Sequence, residues 1–171
     1  MKHEKLPLTR EFVLSRLSVD VASGKCYWKA MSRNWRPDLI GTEAGSARKD
    51  RSDTKYWFIK LNQVSYKRCY LVFLCLHNSW PALIDHIDRD SLNDAGTNLR
   101  AATNQQNVWN RRQPRTGKLL PMGVRKHGKR FSVRIKLNDK EMHIGVYDDV
   151  ETAVNAYAAK RKELFGEFSG L

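Results

Sequence analysis

Long apolar runs are missing from these 171 residues. The longest, Tyr70 to Leu76, is far too short to span a bilayer. The opening Met1-Lys2-His3-Glu4-Lys5 leads into no apolar stretch of signal-peptide length. Neither a membrane protein nor an exported one is expected; the expected compartment is the cytoplasm of the cell that makes the chain. Cysteine is scarce: Cys26, Cys69 and Cys75 are an odd number, with no Cys-x-x-Cys pair. That argues against a disulfide framework and against a zinc ribbon. Cys69 and Cys75 flank the apolar run and read as small buried hydrophobes. Acid is short as well, with 18 Asp and Glu against 31 Lys and Arg. No internal repeat and no low-complexity segment interrupts the chain.

What is present follows from that imbalance. The net charge of +13 could be only a solvated basic surface, but it suits a polyanionic partner better. Clustered Lys and Arg release counterions from a phosphate backbone. An anionic membrane surface fits less well, since no basic amphipathic helix stands out. The length suits one ordinary domain or two small ones, and 41% hydrophobic residues are enough for a core.

Leu6 to Leu17 allows a short helix with Thr9 as N-cap, and Gly24 to Lys29 a turn and short strand. Residues 41–55 are rich in Gly, Ser, Asp and Lys and read as loop. Tyr56 to Leu61 reads as a strand with Asn62-Gln63 as its turn. Tyr66 to His77 fits strand or helix on pattern alone; its length and the Asn78-Ser79-Trp80-Pro81 stop favour helix. Thr103 with Gln106 three residues on forms a capping box, predicting a helix from Asn104 to about Arg111. That helix puts Asn107, Asn110 and Arg111 on one face, and Pro114 stops it. Residues 111–118, basic with Pro and Gly, read as a linker. Beyond it Phe131, Val133, Ile135 and Leu137 alternate with Ser132, Arg134, Lys136 and Asn138, the period of a half-buried strand. His127-Gly128 and Asn138-Asp139 are turn candidates, and Met142, Ile144 and Val146 make another strand. Asp148 is the expected cap of a final helix carrying Val150, Ala153, Tyr157 and Leu164, ended by Gly166. Three antiparallel strands with one helix across them are expected here.

One stretch carries chemistry: Ile84-Asp85-His86-Ile87-Asp88, then Asn98-Leu99-Arg100, then Asn107-Val108-Trp109-Asn110. A neutral His can accept a proton from water. Asp carboxylate and Asn carbonyl oxygens are hard ligands that suit Mg²⁺ or Mn²⁺. Such a metal stabilises a leaving oxygen, so the three residue types together can hydrolyse a phosphodiester. On a strand Asp85 and His86 point to opposite sides, so one can face a metal and the other the far side of a phosphate. An Asp-His pair by itself is more often a surface hydrogen bond, and helical asparagines are usually solvated. Asp88, Asp90, Asn93 and Asp94 suggest a calcium loop, but the central Gly and terminal Glu are missing.

The joint spacing resembles the HNH endonucleases of the phage homing branch. Their pattern is Asp-His-x-Asp, Asn-Leu-Arg, then Ala/Val-Thr-x-x-x-Asn, here Ala102-Thr103-Asn104-Gln105-Gln106-Asn107. The resemblance covers about residues 55–112. It implies a ββα-metal fold, with His86 as general base and Asp85 and Asn107 as metal ligands. Asn98 would orient the loop and fix the His86 ring, and Arg100 and the helix end would touch the DNA backbone. Where that family often has His-Arg-Leu, this chain has Cys69-Tyr70-Leu71, for which a change in packing rather than loss of activity is expected.

Residues 121–171 resemble the APETALA2-type DNA-binding domain. The matching residues are Gly123-Val124-Arg125, Ile144-Gly145-Val146-Tyr147-Asp148, Glu151 with Ala153, Ala156-Tyr157, and Phe165-Gly166. The resemblance implies a three-stranded sheet in the major groove with Arg125 as a contact; Arg134 and Lys136 follow by alternation. Met122 stands where the family usually has Arg, and the first hairpin is shorter. The basic run that includes Arg111, Arg112, Arg115, Lys118 and Arg130 suits phosphates better than bases.

The expectation is therefore an α+β chain: residues 1–54 partly irregular, an HNH core over 55–113, a linker over 114–120 and a reader over 121–171. Its expected activity is metal-dependent cleavage of double-stranded DNA, most simply a nick, by a monomer with Mg²⁺ or Mn²⁺. The expected site is His86 and Asn98 in catalysis, and Asp85 and Asn107 on the metal. Arg100, Asn110, Arg111, Arg112, Arg125, Arg130, Arg134 and Lys136 complete it on DNA. A DNA-binding regulator with an inactive nuclease core is the main alternative; an RNA-binding accessory protein rests on charge alone.

Overall fold

The computed structural model describes residues 8–29, 37–110, 120–138 and 140–170. It is mixed α and β, with small antiparallel sheets and four α-helices among the described residues. The chain divides into two compact units, Met1–Asn104 and Gln105–Leu171. The expected linker, with Arg111, Arg112, Arg115 and Lys118, falls mostly outside the described residues.

The first unit opens with α1 (Arg10–Arg16), where the Thr9 side chain accepts from the Phe12 N–H as the expected N-cap. A hairpin follows, β1 (Leu17–Asp20) against β2 (Lys25–Trp28), with Leu17 opposite Trp28 and Asp20 opposite Lys25. A three-stranded sheet comes next: β3 (Ser46–Lys49), β4 (Lys55–Leu61) and β5 (Val64–Lys67), with β4 central. Asn62 and Gln63 both take left-handed φ, 46° and 64°, which makes the tight β4–β5 turn that was expected. Composition predicts loop over residues 41–55, yet β3 lies within it: all four of its residues are exposed, so no alternation marks it.

The helix α2 (Arg68–His77) fills the centre of this unit. Its buried residues include Cys69 and Leu71 through Cys75. A helix enclosed on most sides shows no 3.6-residue stripe, which is why pattern alone left it open to a strand reading. Asn78 in the left-handed region closes it, donating its N–H to Leu74 O at 2.9 Å. Val13, Leu17, Cys26, Ile59, Leu61, Ile84 and Leu99 join α2 in one core. A two-stranded ribbon, β6 (Ile84–His86) with β7 (Leu99–Ala101), completes the unit.

The α3 helix (Asn104–Asn110) starts where the capping box predicts. The second unit then builds β8 (Val124–His127), β9 (Arg130–Leu137), β10 (Lys140–Tyr147) and α4 (Val150–Phe165), with β9 central. Three antiparallel strands and one packed helix were the expectation. Val133 and Ile135 are buried against Ala153, Tyr157 and Phe165, while Arg134 and Lys136 are exposed. The cap of α4 is Asp149, not Asp148: Asp149 Oδ1 accepts from the Thr152 N–H at 2.7 Å. Starting at Val150 sets Ala153, Tyr157, Arg161 and Phe165 on the buried face. Asp148 instead pairs with Arg130 at 2.7 Å.

Candidate active site

The β6–β7 ribbon sets the first pair of side chains. Its register places Asp85 opposite Arg100 and His86 opposite Leu99. Arg100 directs two donors at one carboxylate oxygen of Asp85, Nε at 2.9 Å and Nη2 at 2.7 Å. Asp85 is only 4% exposed, so this is an enclosed ion pair, and Arg100, expected on DNA, spends its guanidinium there.

Asn98 orients the loop that joins the two strands. Its Oδ1 accepts from the Asp88 N–H at 3.0 Å; its amide donates to Asp88 Oδ1 at 2.9 Å and to Asn93 O at 2.7 Å. Asn93 donates to the other Asp88 oxygen at 2.6 Å. Burial works to raise the Asp88 pKa, but the donors from Asn93, the Asp90 N–H and Asn98 outweigh it and hold the carboxyl below its usual range. Asp88 thus acts as the hub of the loop.

The His86 ring is held by a residue that sequence reasoning did not assign. His86 Nε2 lies 2.9 Å from Asp94 Oδ1, with His86 8% and Asp94 2% exposed. Asp94 Oδ2 accepts from Arg68 Nε at 2.7 Å. Arg68 also donates to Glu43 Oε1 at 2.8 Å and to Leu92 O at 3.1 Å, and its guanidinium lies 4.7 Å from the Trp57 ring centroid. A carboxylate only accepts, so Nε2 is the donor of this pair. The contacts form a relay His86–Asp94–Arg68–Glu43 that fixes the ring's orientation. The signal for Asp94 was in the chain, in the Asp88–Asp94 run considered above as a calcium loop. Arg68 and Glu43 gave none, because each acts only through long-range contact.

The backbone at Asp94 is pinned from the N-terminal hairpin. Gly24 has φ +70°, and a Cβ there would stand 2.1 Å from the Asp94 carbonyl carbon. The Gly96 N–H donates to Val21 O at 2.8 Å. Only a glycine lets the β1–β2 turn come this close. Cys69, in the first turn of α2, brings its sulfur to the same place: its Sγ, a His86 ring nitrogen and an Asp94 oxygen lie within 4.8 Å of one another. Burial pushes the Cys69 thiol well up from its usual range.

The remaining expected residues lie in the second unit. Asn107 is half-buried on α3, and Asn110 is 2% exposed. Arg161, also buried, donates to the carbonyl oxygens of Trp109 and Ser169. On the exposed sheet face Arg125, Arg134 and Lys136 stand together, with a feature the chain order hides. Glu141 of β10 accepts from Arg125 at 2.9 Å through one oxygen and from Arg134 at 2.8 Å through the other. The Arg134 hydrogen bond, with the charge of both arginines, lowers the Glu141 pKa. Arg111 and Arg112 lie outside the described residues. Among the described residues no helix is long and apolar enough to cross a membrane.

Two relatives share half of the chain each. Over 87 residues the sequence is 36% identical to an uncharacterized HNH endonuclease of Acanthamoeba polyphaga mimivirus; the match spans 44% of that protein, less than half its length. Over 88 residues it is 33% identical to protein 3.8 of Escherichia phage T7, spanning 72% of that protein. No family model matches the chain, and no solved structure matches it.

Proposed function

The chain belongs to the family of Escherichia phage T7 protein 3.8, and from that premise and the geometry above we propose that it is an HNH-type DNA endonuclease. One observation carries the proposal: the buried carboxylate of Asp94 lies 2.9 Å from His86 Nε2 and orients the ring as it would a general base. The partial likeness to a mimivirus HNH endonuclease supports the same reading. In this proposal β6 and β7 are the two strands of the ββα-metal core. Asp85 would hold the metal, Asn98 braces the loop, and Arg100 keeps Asp85 in place; Asn107 keeps the ligand role that the family resemblance implies for it. The donor chemistry of Asp85, a buried carboxylate, fits a hard divalent ion, Mg²⁺ or Mn²⁺. When bound, such an ion stabilises charge on the leaving oxygen. The second unit is proposed as an APETALA2-like reader of double-stranded DNA, presenting Arg125, Arg130, Arg134 and Lys136. Arg111 and Arg112 complete the expected contact set; Asn110, 2% exposed, is enclosed and does not join it.

Supercoiled plasmid with Mg²⁺ or Mn²⁺ tests the proposal. The parent chain should nick it, and His86→Ala should lower the rate by at least two orders of magnitude. Equal cutting by His86→Ala would sink the assignment. A second reading, a DNA-binding regulator with an inactive core, draws support from the Asp85–Arg100 pair, which already neutralises the proposed metal ligand. Shifted DNA bands with no cleavage under either metal would favour that reading.

A further inference from the structure

The Cys69–His86–Asp94 cluster is unlike the oxygen donors proposed for the hydrolytic ion. It offers sulfur, nitrogen and oxygen, one atom each, from three buried side chains within 4.8 Å. Three protein donors of that kind, with a fourth position left for water, are the set of open zinc sites. Mg²⁺ rejects sulfur, so the two chemistries separate by ligand softness. We propose that Cys69, His86 and Asp94 form a second metal site, selective for Zn²⁺ and similar borderline ions, whose occupancy turns the nuclease off. The inhibitory half rests on the reading of His86 as the base.

The surroundings favour the ion. Arg68 holds Asp94 by Oδ2 and leaves Oδ1 on the His86 side, so the carboxylate is already oriented by an outer partner. Arg68, Glu43 and Asp94 together carry one net negative charge. A divalent ion with a Cys69 thiolate adds one positive charge and brings the cluster to neutrality. The first turn of α2 stabilises that thiolate through the helix dipole, against the burial that disfavours it. The protons balance simply. The thiol proton leaves to solvent as the metal–sulfur bond forms. The hydrogen on Nε2 is given up to solvent, and one is taken up at Nδ1, so His86 stays neutral while Nε2 binds the ion. Inhibition follows because the ion takes up the ring proposed as the base together with the carboxylate that orients it.

Co²⁺ is the optical probe, added to the full-length chain after chelator treatment. The expected result is a thiolate-to-cobalt charge-transfer band that saturates at one ion per chain, survives millimolar Mg²⁺ and is displaced by Zn²⁺. Cys69→Ser and Cys69→Ala should each abolish the band and weaken Zn²⁺ binding roughly a hundredfold or more. Cys26→Ala and Cys75→Ala should keep it. Absence of the band in the parent, or its persistence without Cys69, overturns the site. In Mg²⁺-supported cleavage, one equivalent of Zn²⁺ should slow the parent at least tenfold and leave Cys69→Ser, otherwise active, unaffected. A Cys69-dependent band with cleavage indifferent to Zn²⁺ overturns the inhibitory half. If the parent never cleaves, the nuclease reading fails while the band still decides whether the site exists.

Discussion

Replacing Arg68 by Met tests whether the relay behind His86 holds the first unit together. Arg68 donates to Asp94, Glu43 and Leu92 O, and its own side chain is 5% exposed. Removing one partner of a buried pair costs about 3–5 kcal/mol, because the other charge is left enclosed. Two features soften that. Glu43 is 31% exposed, so water replaces the guanidinium at a cost below about 1 kcal/mol. Met keeps an apolar stem against Trp57 and fills most of the volume. The low end, about 3 kcal/mol, is the expected loss. With a urea m-value of about 2 kcal/mol/M, the midpoint should fall by roughly 1.5 M, read by intrinsic fluorescence. The companion Asp94→Asn removes the stranded charge, so the double variant should cost less than Arg68→Met alone, a coupling of about 1.5 kcal/mol or more. A loss under about 1 kcal/mol, or simple additivity, would refute the claim that Arg68 exists to neutralise Asp94.

Asp94→Asn should itself slow plasmid cleavage by roughly two to four orders of magnitude, because an amide can hold the wrong tautomer; DNA affinity should stay as it was. Cleavage within threefold of the parent contradicts the role given to Asp94. Gly24→Ala forces a Cβ onto the Asp94 backbone at positive φ, and should cost at least about 2 kcal/mol in thermal or urea unfolding. An unchanged melting temperature would mean the hairpin does not brace the Asp94 loop. Glu141→Gln releases Arg125 and Arg134 from their shared carboxylate and removes a charge that repels phosphate. DNA should bind several-fold tighter, and the slope of log affinity on log salt should steepen by about 1–2. A flat response says that this sheet face does not meet DNA.

The sequence by itself determined the local elements and the reactive types. Asp85 and His86 on one short strand follow from local pattern, as do α3 from its capping box and the Asn62-Gln63 turn. The alternation from Phe131 to Leu137 set the apolar and basic faces of β9. These signals are local because strand and helix periods and cap chemistry act over a few residues. Only the tertiary structure decided which charges meet. Arg68 and Glu43 reach the His86 neighbourhood from 26 and 51 residues upstream of Asp94, counted along the chain. Gly24 gives no sign of its contact with Asp94, since its reason is a backbone 70 positions away. The basic run that ends at Lys136 contains no acid in sequence, yet β10 folds Glu141 back between its arginines. Burial then converts those meetings into chemistry: a carboxylate beside a histidine matters little in water, and fixes a proton's position where water is excluded.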